Sequence, residues 1–335
     1  MDGPTMLPGS TVTDSPTSSR VVLAADLGGT QFRVAIVEES GRLLDRHAIP
    51  TMGHLGPSAV LDRMADACRE MLARVPKRAT VLGLGIAAPS PIDPKRGVVY
   101  QAPNIPGWVN IALRDEMADR LRIPVLVGND ANFAALGEWR FGAGRGHGDL
   151  IFLTFSTGVG SGFVTGGRLL VGHHGLAGEA GHTVIQVDGP LCGCGKRGCL
   201  EAFASGTAIR REALQRRVDF PQSTLHRYAD LSAADVEAEA QRGDPLALEL
   251  MRDAGRYAGI GIANLVHIFD PDVVVVGGGV SHSGPHWWET LQQSVREQVL
   301  EAYRPGLRIV PAMLGDDVGI FGSAAAMLDP TAAGA

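Results

Sequence analysis

Short, unbroken apolar runs alternate along this chain with longer stretches in which apolar residues recur every three or four positions. Val21–Ala25 is apolar throughout, the pattern of a strand buried on both faces. Phe32–Val37 predicts a second strand, closed by a turn at Glu39-Ser40-Gly41. The spacing then predicts a helix over Ser58–Arg74 and a strand over Thr80–Ile86. A helix over Ile111–Leu121 stops before Ile123-Pro124, and the strand Val125–Val127 and a helical stretch Phe133–Trp139 follow. Strands are predicted at Leu150–Phe155 and Phe163-Val164. Ser205–Glu239 reads as polar and mostly helical. A long helix opens at Asp244-Pro245, where Asp caps and Pro fits the first turn. Its stripe (Leu246, Leu250, Met251, Ala254, Ala258, Ile262, Leu265, Phe269) is core, and Asp270-Pro271 ends it. Asp272–Val276 and Leu307–Pro311 read as strands and Ile320–Leu328 as a last helix. This alternation predicts an α/β fold.

One design occurs twice. Strand, Asp26-Leu27-Gly28-Gly29-Thr30, strand and Gly41-Arg42-Leu43-Leu44 match strand, Ser156-Thr157-Gly158-Val159-Gly160-Ser161-Gly162, strand and Gly167-Arg168-Leu169-Leu170. Internal duplication is the simplest cause. Glycine turns between strands place backbone N–H groups where they can cradle phosphate oxygens. Asp26 could hold a metal through water and Thr30 could bond a phosphate, although a plain hairpin turn explains the first unit equally well. A matched pair of such turns points to a nucleotide clamped between two halves. The stretch Gly142–Gly148 reads as a flexible, linker-like join before the second unit.

Length and charge narrow the choices. At 335 residues two domains are expected. A net charge of −6 argues against broad attraction to nucleic acid, and no apolar run reaches the ~20 residues needed to span a bilayer. Residues 1–20 are rich in Ser, Thr and Pro without an apolar centre, so they read as a disordered leader and not a signal peptide. Of four cysteines, Cys68 falls on a helical apolar stripe and reads as a core thiol. Cytoplasmic placement fits this cysteine usage best.

The other three crowd into Cys192-Gly193-Cys194-Gly195-Lys196-Arg197-Gly198-Cys199 behind His182. Four such donors within eighteen residues suggest a closed tetrahedral zinc site, with free thiols or one disulfide as the alternative. Glu179 and Glu201 flank the cluster and are left to bind something polar, such as a hydroxyl-rich ligand. Asp130, at a strand-to-helix junction, is either an N-cap or a general base projecting into a cleft. Asn104 lies in the irregular loop Ala102–Trp108, where a turn has no need of its side chain; Trp108 is either core or ligand-facing. Gly277-Gly278-Gly279 after a strand permits close approach to a flat ligand such as adenine or ribose, or is a bare connection.

From about Val21 to Leu328 the chain resembles the ROK family of sugar kinases and repressors, and within it the bacterial glucokinase type. The motifs are Asp26-x-Gly28-Gly29-Thr30-x-x-Arg33, Asn129-Asp130-Ala131-Asn132, Ser156-Thr157-Gly158-x-Gly160-x-Gly162, Gly178-Glu179-x-Gly181-His182, the cysteine cluster with Glu201, and Gly277-Gly278-Gly279. The resemblance implies two actin-like (ribonuclease-H-like) α/β domains with an interdomain cleft. Residues 21–127 would form the smaller domain, joined by a C-terminal helix at 318–329. Residues 128–317 would form the larger, with a zinc-binding insert at 182–199.

It further implies structural Zn²⁺ on His182, Cys192, Cys194 and Cys199. Sugar contacts would come from Asn104, Asn129, Asp130, Glu179, His182 and Glu201. Nucleotide contacts would come from Asp26, Gly28, Gly29, Thr30, Arg33, Thr157, Gly158, Gly278 and Gly279. The expected activity is ATP- and Mg²⁺-dependent phosphorylation of glucose at its 6-hydroxyl, with Asp130 as base, by a homodimer or homotetramer. Another hexose or N-acylhexosamine (mannose, N-acetylglucosamine, N-acetylmannosamine), or polyphosphate as donor, is the alternative. Ala87-Ala88-Pro89-Ser90-Pro91 stands where relatives usually carry Pro-Gly-Pro, which leaves the preferred sugar open. A sugar-sensing regulator ranks lower, because Met1–Arg20 is too short and polar for a winged helix and Asp130 is intact.

Overall fold

A computed structural model describes residues 19–89, 91–102 and 105–334. Most of the leader, together with Ser90 and Asn104, lies outside the described residues.

The first sheet is built from β1 (Arg20–Leu27), β2 (Gln31–Glu38), β3 (Leu43–Pro50), α1 (Pro57–Arg74) and β4 (Thr80–Ala88). Three short strands follow, β5 (Ile92–Asp93), β6 (Val98–Gln101) and β7 (Val109–Ile111), then α2 (Leu113–Leu121), β8 (Val125–Asn129) and α3 (Asp130–Phe141). The second sheet draws on β9 (Leu150–Phe155), β10 (Val159–Thr165) and β11 (Arg168–Leu169). After the cysteine insert come α4 (Glu201–Ala204), α5 (Gly206–Arg216), α6 (Ala233–Gln241), α7 (Pro245–Phe269), β12 (Val273–Gly277), α8 (Gly284–Gln298), β13 (Ile309–Pro311) and α9 (Val318–Leu328).

The duplication read in the sequence is present in space. One sheet runs β3-β2-β1-β4-β8 and the other β11-β10-β9-β12-β13. In each, the three edge-side strands pair antiparallel and the remaining two join in parallel. This is the two-lobed α/β arrangement of the actin-like fold. The Val21–Ala25 stretch of β1 and the valines of β12 form unbroken apolar runs because these strands are central and covered on both faces. Each lobe has its own core: Val21, Phe32, Met64, Cys68 and Trp108 in the first, and Phe155, Leu250, Ile262, Trp287 and Leu291 in the second.

The lobes meet through two crossing helices. α9 packs on β1 and β4, α3 packs on β9 and β10, and the two helices pack on each other. Their backbones approach so closely that a Cβ at Gly322 would stand 2.1 Å from the Phe133 carbonyl oxygen. Ser323 adds a buried tie: its hydroxyl donates to Ala25 O at 2.7 Å and accepts from Ala87 N at 2.9 Å.

Several expectations need correction. β1 begins at Arg20, inside the segment read as leader. Ile111 belongs to β7, and α2 starts at Leu113. The loop Ala102–Trp108 is flanked by β6 and β7 of a small antiparallel sheet, β5-β6-β7, which the sequence pattern does not predict. The stretch Gly142–Gly148 is tethered and is no loose linker. The buried carboxylate of Glu138 accepts from Ala143 N at 2.8 Å, and Trp139 Nε1 donates to His147 O at 2.7 Å. α8 and β3 have no counterpart in the sequence reading.

Candidate active site

Between the lobes lies a cavity of about 550 Å³. Its lining includes Asp26, Arg33, Asn129, Asp130, Thr157, Gly158, Glu179, His182 and Glu201, residues spread over 176 positions of the chain. Asn104 cannot be placed, since it lies outside the described residues.

Asp130 is the first residue of α3. The cap is its neighbour: Asn129 Oδ1 accepts from Asn132 N at 2.9 Å. The reading of Asp130 as an N-cap is therefore wrong, and its carboxylate is available to the cleft. Asp130 Oδ1 accepts from Ala131 N at 2.7 Å and from Asn129 Nδ2 at 2.9 Å. The Asp130 side chain is exposed to the cleft, whose walls crowd protein atoms around it. This desolvation raises its pKa from 3.8 to about 6, with the Asp26 and Glu179 carboxylates adding repulsion and the Ala131 and Asn129 donors opposing. A carboxylate tuned toward neutrality on a cleft floor has the character of a general base.

Two structures hold the flanking glutamates. Ser161, buried in β10, donates its hydroxyl to Gly178 O and accepts from Ala180 N, so it clasps the turn that carries Glu179 from both sides. Glu201 opens α4, and its Oε2 accepts from Val159 N at 3.0 Å, while Oε1 lies 3.5 Å from Cys192 Sγ. Glu201 therefore links the cysteine cluster to the second glycine turn.

The donor atoms of His182, Cys192, Cys194 and Cys199 lie within 4.8 Å of one another. Cys194 Sγ to Cys199 Sγ is 3.7 Å, and Cys192 Sγ to His182 Nδ1 is also 3.7 Å. The edge of a tetrahedron with Zn–S bonds of ~2.3 Å is about 3.8 Å, so this donor set fits zinc. Nδ1 faces the sulfurs, and the ring also lines the central cavity. None of the four cysteines is in a disulfide, and Cys68 is buried in the first core as expected.

The nucleotide-side residues divide. Asp26 and Arg33 line the central cavity and form an ion pair with each other, and Arg33 also donates to Asp316 O at 2.7 Å. Thr157 and Gly158 line it too. A second cavity of about 370 Å³ adjoins it through Ser156 and Thr157, and is bounded by Thr207, Arg210, Glu237, Gly279 and Ser283. Gly278 has φ +88° and would place a Cβ 2.4 Å from Phe155 O, so glycine is obligatory there. Gly28, Gly29 and Thr30 form the β1–β2 turn and line neither of these cavities.

Residues the sequence reading passed over include Asn132, which lines the central cavity with its Oδ1 buried and unpartnered. Ser161 and Ser156 are others. Each stands inside a quoted motif, which was the available signal.

Comparison with known proteins matches residues 22–329 to the ROK family. The chain belongs to the ROK family. Among its relatives, the glucokinase of Thermotoga maritima is 37% identical over 307 residues, covering 90% of this chain and 96% of that one. A solved ROK hexokinase from Thermus thermophilus superposes with a TM-score of 0.80 at 37% identity, covering 91% of this chain and 97% of that chain. A ROK glucokinase from Streptomyces griseus, solved with glucose and AMPPNP, gives a TM-score of 0.76 at 36% identity over 91% of this chain and 98% of that chain.

Proposed function

We propose that this ROK protein phosphorylates glucose at its 6-hydroxyl with ATP. The observation that carries the reading is Asp130, on the cleft floor with a pKa raised to about 6, in one cavity with Asn129, Glu179, His182, Glu201 and the Thr157-Gly158 turn. The relatives named above, a glucokinase and a glucokinase structure holding glucose and an ATP analogue, support the choice of sugar and donor.

Asp130 accepts the proton of the attacking hydroxyl. Both of its hydrogen bonds to neighbouring donors fall on Oδ1, so Oδ2 is the atom assigned to the substrate. Asn129, Glu179, His182 and Glu201 orient the sugar's hydroxyls, and Asn104 is assigned to the same ring. The turns at Gly28-Gly29-Thr30 and Thr157-Gly158, together with Arg33, stabilise charge on the phosphates. Mg²⁺, arriving with ATP, would screen the phosphate charge, with Asp26 reaching it through water. The nucleoside occupies the cavity beside Gly278 and Gly279. A polyphosphate donor would leave that cavity unused, which favours ATP.

Zinc on His182, Cys192, Cys194 and Cys199 is assigned a structural part. His182 would bind it through Nδ1, which would fix the ring, and the three cysteines would hold together the loop that leads into Glu201. Burial, with the Glu201 carboxylate adding to it, pushes the Cys192 thiol to about 12, so zinc uptake would release protons and weaken in acid. A cytoplasmic setting suits four unpaired cysteines, and among the described residues no helix is long and apolar enough to cross a membrane. A homodimer or homotetramer belongs to the same proposal.

The test is sugar phosphate formation across a panel of glucose, mannose, N-acetylglucosamine, N-acetylmannosamine and fructose, each with ATP and with polyphosphate. Turnover confined to polyphosphate, or highest by far on an N-acylhexosamine, would replace this reading.

A further inference from the structure

Each glycine turn is braced from behind by a threonine that no phosphate-binding motif contains. Thr51, immediately after β3, donates its backbone N–H to Thr30 O at 2.9 Å and its hydroxyl to Gly28 O at 2.7 Å. Thr207, in the first turn of α5, donates its hydroxyl to Thr157 O at 2.8 Å and its N–H to the same oxygen at 3.4 Å. Gly206 N adds a bond to Ser156 O at 2.7 Å. The two threonines come from unrelated stretches of chain, yet they do the same thing to matching turns in the duplicated lobes.

The consequence follows from peptide geometry. In a trans planar peptide the C=O and the following N–H point in opposite directions. Holding the Gly28 carbonyl toward Thr51 turns the Gly29 N–H to the opposite side. Holding the Ser156 and Thr157 carbonyls toward α5 turns the N–H groups of Thr157 and Gly158 toward the cleft that those residues line. Among the described residues, no hydrogen bond of the fold uses the N–H of Gly29, Thr157 or Gly158. Unbraced, a glycine turn can flip these peptides at little cost, because glycine tolerates both signs of φ.

We infer that Thr51 and Thr207 are paired positioning residues, which lock the carbonyls of the two turns backward so that their N–H groups present a preformed anion cradle to the ATP phosphates. Thr51 is 2% exposed and lines neither cavity, so it acts only through the turn. Thr207 borders the nucleoside cavity, so its variant is read through the phosphate-dependent part of affinity. The inference rests on the assignment of ATP phosphates to these turns.

The experiment uses the full chain and the variants Thr51→Val, Thr51→Ser, Thr207→Val and the double valine variant. Binding of AMPPNP and of adenosine is measured by calorimetry, with KM for glucose and melting temperature alongside. Each valine variant is expected to lower the AMPPNP-to-adenosine affinity ratio by roughly three- to tenfold, about the worth of one lost hydrogen bond. Adenosine affinity of Thr51→Val and its KM for glucose stay at wild-type values. Thr51→Ser restores the ratio, and the double variant falls below either single variant because the two threonines share no partner within the protein. An unchanged ratio in Thr51→Val or in Thr207→Val, with a wild type that uses ATP, overturns the inference and leaves the kinase reading intact. A fall in AMPPNP, adenosine and glucose affinity together, with a lowered melting temperature, shows a merely structural threonine and overturns it as well. If Thr51→Val does not fold, exposed Thr207 carries the decision. A wild type that binds adenosine and AMPPNP equally refutes both the inference and the assignment of ATP phosphates beneath it.

Discussion

Replacing Asp130 with Asn probes both the chemistry and the electrostatics of the cleft. The substitution keeps size and shape but removes the only group on the α3 N-terminus that can take a proton. A positioned general base contributes about 10²- to 10⁴-fold to turnover, so kcat is expected to fall within or beyond that range while glucose affinity, carried by several other residues, changes little. The pH dependence gives a second reading of the same group. With a pKa of about 6, Asp130 is about one-tenth ionised at pH 5 and about nine-tenths at pH 7. Only the ionised form accepts a proton, so kcat/KM rises through pH ~6 and levels above it. A carboxylate at the ordinary 3.8 would leave the profile flat down to about pH 5. Stability moves in the opposite direction. The folded state holds the Asp130 proton more tightly than the unfolded chain does. This group therefore favours folding most at low pH, and that contribution is lost as pH rises from 3.8 through about 6. The melting temperature of Asp130→Asn relative to wild type should therefore climb across that window. The assays are steady-state kinetics and thermal melts between pH 4.5 and 8. Near-wild-type turnover in the variant, or a wild-type profile with no limb near pH 6, would refute the reasoning.

Three further outcomes follow from the packing. Cys194→Ser should lose zinc by metal analysis and raise the KM for glucose, and the Glu201–Val159 bond carries a smaller rise to the ATP side; wild-type protein without zinc would sink that account. Gly322→Ala forces a methyl group to within 2.1 Å of the Phe133 carbonyl, so the helix crossing must spread, at about 1–3 kcal/mol of stability measured by urea titration. Glu138→Gln should destabilise the fold by a comparable amount and loosen the segment before α9 in hydrogen exchange. Its Oε1 accepts from Met313 N and Leu314 N, each at 2.9 Å, and an amide nitrogen placed on either side of the carboxylate faces donors it cannot serve.

How much of this could be read from the chain depends on the distance over which each residue acts. The buried central strands were legible because Val21–Ala25 of β1, Leu150–Leu153 of β9 and Val273–Val276 of β12 are unbroken apolar runs. The duplication was legible because both its turns and its closing Gly-Arg-Leu-Leu survive. The cysteine cluster was legible because four donors sit close together. α8 was missed because its start is Gly284-Pro285-His286 and its buried stripe is thin, with Trp287, Leu291 and Val295 among polar residues. β3 was missed because it is an edge strand with half-exposed alternation. Thr51, Ser161 and Glu138 were beyond reach in their roles. Thr51 bonds a carbonyl 23 positions away, Ser161 one 17 positions away, and Glu138 reaches an amide 175 positions away. Single polar residues with remote partners leave no periodic trace. Asp130 illustrates the middle case: the junction was visible, but only the fold shows that Asn129 caps the helix and so releases Asp130 to the cleft.

The central claim is transfer of a phosphoryl group from ATP to the 6-hydroxyl of glucose with Asp130 as base. The direct measurement is phosphorus NMR of the products formed from ATP and glucose by the wild type and by Asp130→Asn. The account predicts glucose 6-phosphate and ADP in equal amounts from the wild type and almost none from the variant. ADP with free phosphate and no sugar phosphate, or equal glucose 6-phosphate from both proteins, would contradict it.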